Sequence, residues 1–81
     1  DDLARAEQML RKALELRPDR PETYYNDLGL LLLRAERPSE ARDMFEKALQ
    51  LNPAYPDAQH NLDDLVRNLS TRPDAREESM P

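Results

Sequence analysis

The chain has no cysteine and no tryptophan among its 81 residues, and only one glycine, Gly29. Without cysteine there is no disulfide, no thiol nucleophile and no cysteine-based zinc site. With one glycine there is no Gly-rich loop to cradle a phosphate. His60 is the sole histidine, so no histidine pair offers a metal site, and no Ser-His-Asp or Cys-His set can be assembled. The longest apolar run, Leu30-Leu31-Leu32-Leu33, falls far short of the roughly 18 residues a membrane span needs. Basic residues are outnumbered, 12 Lys and Arg against 17 Asp and Glu, for a net charge of -5 and a pI of about 4.8. A basic stripe strong enough for nucleic acid is therefore not expected. Neither catalysis, nor a cofactor, nor a resident metal is expected, and the expected location is cytoplasmic.

What is present is helical periodicity within a chain of one-domain size. So short a chain buries a limited share of its surface, which leaves a thin margin of stability. It opens on Asp1-Asp2-Leu3-Ala4-Arg5, the wrong chemistry for a signal peptide, and without Met; a piece of a longer chain is expected. Leu3, Ala6, Leu10, Ala13 and Leu14 then recur at spacings of three and four, the stripe of a buried helix face. The two leading Asp residues suit its positive end, and Pro18 stops it. Ala6-x3-Leu10-x2-Ala13-x4-Pro18 returns as Ala41-x3-Phe45-x2-Ala48-x4-Pro53 at an offset of 35. Helices are predicted over about 3–17, 22–35, 39–51 and 56–69, with Pro21 in the first turn of the second and Ser39 as N-cap of the third.

The stretch 22–55 carries an ordered pattern of residue types. Tyr25-x2-Leu28-Gly29-x2-Leu32 is followed by Ala41-x3-Phe45-x2-Ala48 and then by Pro53. This resembles a tetratricopeptide repeat, a 34-residue helix–turn–helix unit. Tyr25 stands where Trp is commonest in that family, and Leu32 where Tyr is. The resemblance implies an all-α fold of antiparallel helix pairs, a fragment of an α-solenoid. Residues 1–20 then read as the second half of a preceding repeat, 22–55 as a full repeat, and 56–69 as a further first helix, with 70–81 as a disordered tail. Gly29 costs about 1 kcal/mol in a helix interior, and close approach of the partner helix is the expected compensation. In the last helix, Gln59 and Asp63 replace Tyr25 and Gly29 at an offset of 34. A charge there resists being pressed under another helix, so this helix reads as a solvated terminal cap.

The resemblance also implies a concave face, lined by first helices, that takes an extended peptide or a helix of a partner protein. On the second helix that face holds Thr23, Asn26, Asp27, Leu30, Leu33 and Arg34; on the fourth, Asp57, His60, Asn61, Asp64, Arg67 and Asn68. The carboxylate clamp known in the family needs a Lys on such a face, and no Lys stands there. Leu30 and Leu33, about 60° apart on the helix, are the apolar anchors of the predicted site. Asn26, Arg34, His60, Asp64 and Arg67 complete it as polar contacts. Leu31 and Tyr24 are expected to pack on the fourth helix.

Each signal has a plainer reading. Polar residues on these faces also make an ordinary solvated surface, and scattered exposed leucines are normal. Leu30 and Leu33 equally suit a homodimer, with the chain a self-assembling structural module. Asp57, His60 and Asp64 share a face at i, i+3 and i+7, yet one helix offers too few ligands to close a metal shell.

Overall fold

The computed structural model describes residues 1–70, and within them lie four α-helices: α1 (Asp2–Glu15), α2 (Pro21–Arg34), α3 (Pro38–Leu51) and α4 (Pro56–Ser70). The expected tail lies outside the described residues, apart from Ser70, which closes α4. Asp1 caps α1 as its residue type suggests, its Oδ1 accepting from the Leu3 N–H at 2.9 Å. Prolines open the other three helices, where an N–H has no intrahelical partner and a fixed φ costs nothing. Ser39 is not the cap of α3: the N-cap position belongs to Arg37, without a side-chain bond, because Pro38 already occupies the first helical position.

Two corners turn without glycine. Arg17 and Glu36 adopt left-handed backbone, with φ of 56° and 61°. At the end of α2, the Glu36 N–H donates to the Leu33 carbonyl at 3.0 Å and the Arg37 N–H to the Leu32 carbonyl at 2.9 Å. That pair of bonds is a Schellman turn, which satisfies carbonyls the helix leaves open. The first helix ends earlier than the predicted 17, since Arg17 already leaves helical geometry ahead of Pro18.

Neighbouring helices pack antiparallel. The α2–α3 pair is the most extensive, α1 lies against α2 and α4 against α3, while α2 and α4 touch lightly. The core is the inner face of the full repeat: Leu28, Leu32, Ala41, Phe45 and Ala48 are completely buried, joined by Ala58 and Leu65 from α4. Each large side chain buried there contributes roughly 1.5–3 kcal/mol. Phe45 fills the space opposite Gly29, as the glycine's cost implies. A Cβ on Gly29 would stand 2.5 Å from the Phe45 Cε1. α1, by contrast, has no fully buried residue.

Leu31 packs against the core cluster and also borders a cleft of about 400 Å³ with Leu3, Ala4 and Glu7 of α1. Tyr24 borders a hollow with Pro18, Asp19 and Arg20 of the α1–α2 linker. The reason is the stacking direction: a first helix turns these positions toward the preceding unit, as Ala58 and Leu65, their counterparts on α4, turn toward the α2–α3 pair.

Candidate functional site

Because successive helices alternate in direction, α2 and α4 run parallel and present the residues expected on the concave face. A side-chain hydrogen bond links them. Asn61 Nδ2 donates to Asn26 Oδ1 at 2.9 Å, and Asn26 is only 4% exposed. Asn26 therefore belongs to the floor between the two helices rather than to the freely reachable surface, because its oxygen is already taken. Burial without a partner would cost about 1–3 kcal/mol, so the pair also fixes how α4 sits on α2.

Beside this floor, Leu30 is 40% exposed, although Leu28 and Leu32 on the same helix are fully buried. Leu33 is half-buried and packs against the core cluster. Leu33 is thus partly covered within the chain, and Leu30 is the more open of the two. Asp27 and Arg34 are exposed on the same helix. Although Asp27 is exposed, enough protein crowds its carboxyl that desolvation raises its pKa.

On α4, the His60 Nε2 lies 3.2 Å from one oxygen of Asp64, and Arg67 Nη1 donates to the other at 3.2 Å. His60, Asp64 and Arg67 thus form a local row along one exposed edge. No group of three or more His, Cys, Asp or Glu side chains among the described residues is placed to hold a metal ion. The seven predicted contacts consequently divide into an apolar and basic strip on α2 and a charged row on α4, joined by Asn26 and Asn61.

Periodicity gave no sign of a second polar centre. The Arg37 guanidinium forks between two carboxylates. Its Nη1 lies 2.7 Å from Glu7 Oε1, while its Nε and Nη2 each lie 2.7 Å from Glu40. Arg11 adds a bond to Glu7 at 3.0 Å. Glu7 is held below the usual carboxylate range chiefly by its bond from Arg37, with desolvation opposing and Arg11 assisting; Glu40 is lowered mainly by Arg37 too. Glu7 and Arg37 lie 30 positions apart, so no local spacing announces the pair. The i, i+3 spacing of Arg37 and Glu40 is the one part a sequence pattern could have found. The network braces α1 against the corner between α2 and α3, where Glu7 and Arg37 line one cleft together with Arg34.

No helix among the described residues is long and apolar enough to cross a membrane. Residues 1–54 match the family model of the tetratricopeptide repeat, a span that takes in α1, α2 and α3. No curated protein and no solved structure matches the chain.

Proposed function

The chain belongs to the tetratricopeptide repeat family, and from that premise we propose that it binds a segment of a partner protein along the concave face of α2 and α4. The observation that carries this reading is Leu30, which stays 40% exposed on a helix whose Leu28 and Leu32 are fully buried. It stands beside a floor already rigid through Asn26 and Asn61, so ordering a ligand there costs less than ordering ligand and site together. In this reading Leu30 receives an apolar side chain, with Leu33 at its margin. Arg34 and Arg67 guide a polar or acidic flank, and His60 and Asp64 form the opposite wall. Such an arrangement suits recognition of an extended or helical segment and has no part in turnover.

The test is selection of a displayed random-peptide library on the immobilised protein, followed by backbone amide NMR mapping of an enriched peptide. Shifts clustered at Thr23, Leu30, Arg34 and Asn61, together with loss of binding in Leu30→Glu, are the expected result. Peptides that bind equally well to Leu30→Glu, or that shift only residues of α1 and α3, would overturn the proposal.

A further inference from the structure

The concave face is graded in charge along the helix axes. On α2, Asp27, Leu30 and Arg34 follow one another at i, i+3 and i+7, which sets all three within about 60° on the helix wheel. All three are exposed. α2 is flanked by α1, α3 and α4, so this strip belongs to the middle of the stack. α4 repeats the order: Asp57 stands in its first turn and Arg67 in its last, as Arg34 stands in the last turn of α2. Because the two helices run parallel, acids lie at one end of the face, guanidinium groups at the other, and Leu30 between them.

Among the described residues, neither Asp27 nor Arg34 makes a side-chain hydrogen bond or ion pair. Burial alone acts on the Asp27 carboxyl, and a cation set beside it would offset that desolvation. Asp64, midway along α4, is already held by His60 and Arg67 and adds little negative charge to the centre.

We propose that the segment this face takes is an amphipathic helix, acidic at its N-terminal end and basic at its C-terminal end, lying antiparallel to α2 and α4. The proposal rests on the binding reading above and gives the ligand its form and direction. Asp27 and Arg34 are two turns apart, about 10.5 Å along the axis. An antiparallel helix matches that span with an acid beside Arg34, an apolar residue one turn on against Leu30, and a base one further turn on beside Asp27. The same order suits the ligand's own dipole, which favours acids in its first turn and bases in its last. A parallel helix would need the reverse order, against its dipole. Fit to the site and stability of the ligand helix therefore agree in one orientation only. An extended strand crosses the same distance in about three residues, and nothing in its backbone ties charge order to chain direction.

The experiment selects binders from two displayed libraries of helix-forming peptides of about four turns, with the same randomised apolar positions. One library carries Glu in the first turn and Lys in the last; the other reverses them. Selection on the unchanged chain is expected to enrich the acid-first library. Intrinsic helicity favours that library on any surface, so an enriched peptide is then measured on the double variant Asp27→Arg, Arg34→Asp, its fold checked by circular dichroism. Affinity is expected to fall about tenfold there, since two attractions become two repulsions. A nitroxide at the N-terminus of the peptide is expected to broaden the amides of Leu33 and Arg34 and to spare those of Thr23 and Tyr24. Peptides that bind through Leu30 but come from the base-first library, hold equally to the double variant, or place the nitroxide at Thr23 would overturn this proposal and leave the binding reading standing. Failure of both libraries to shift Leu30 would overturn the two together. So would a face already filled by a second copy, seen as a mass above 9.4 kDa that Leu30→Glu returns to monomer.

Discussion

Gly29 and Phe45 meet without room for a single added carbon: an ideal Cβ on Gly29 would lie 2.5, 2.7 and 2.9 Å from three carbons of the Phe45 ring. Phe45 is fully buried. Gly29→Ala gains about 1 kcal/mol of helix propensity but forces overpacking that costs typically about 1–3 kcal/mol. With contacts this short the upper part of that range applies, and a net loss of about 1–2 kcal/mol is expected in urea denaturation. Phe45→Leu added to Gly29→Ala should cost less than the two changes summed. Strict additivity would show that the ring is not what confines Gly29.

The left-handed corner at Glu36 leads to the opposite sign. A side chain in that backbone region costs roughly 1–2 kcal/mol, and glycine removes the cost while retaining the turn, at some expense in unfolded-chain entropy. Glu36→Gly is expected to stabilise the fold by about 0.5–1 kcal/mol, read as a melting temperature raised by several degrees in a domain of this size. An unchanged or lower value would mean that the side chain at this corner contributes something its backbone cost conceals.

The Arg37 fork makes stability depend on acid. Glu7 and Glu40 ionise more readily in the folded chain than at the ordinary 4.5. Their contribution is therefore fully present above that value and is lost as pH falls through the lowered folded values. Arg37 and Glu40 are substantially solvated and Glu7 less so, so the effect is modest and weakens with salt. In Arg37→Gln the melting temperature should fall less steeply between about pH 5 and pH 3 than in the unchanged chain. Parallel slopes would remove the fork from the acid response.

Asn26 and Asn61 should behave as a unit. Either residue changed to Ala leaves a polar partner unsatisfied and is expected to cost about 1–2 kcal/mol. A double-mutant cycle should show a coupling of at least about 0.5 kcal/mol. Independent, additive losses would mean that the bond does not join α2 to α4.

Much of this architecture was legible because the same residue types recur at offsets of 34 and 35, which ordered the helices, while Gly29 implied a close approach of its partner helix without naming Phe45 as what meets it. The corners were harder. Ser39 looked like a cap because its type favours that role, but Pro38 claimed the helix start. Arg17 and Glu36 do what glycine usually does and so leave no mark in the sequence. Leu31 also borders a cleft with α1, which periodicity left out because it gives a helix face and not the elements that meet it. On the candidate site, the burial of Asn26 depends on Asn61, 35 positions away, which no spacing along one helix reveals.

The prolines that open α2, α3 and α4 also act where no structure exists. Each restricts the backbone of the denatured chain at a junction, and with one glycine in the whole sequence few positions there are unusually free. A residue that cannot wander has less entropy to recover on unfolding. The strain held at Arg17 and Glu36 is thus weighed against a disordered ensemble that is itself narrowed. Part of what keeps these corners bent is the poverty of the alternatives.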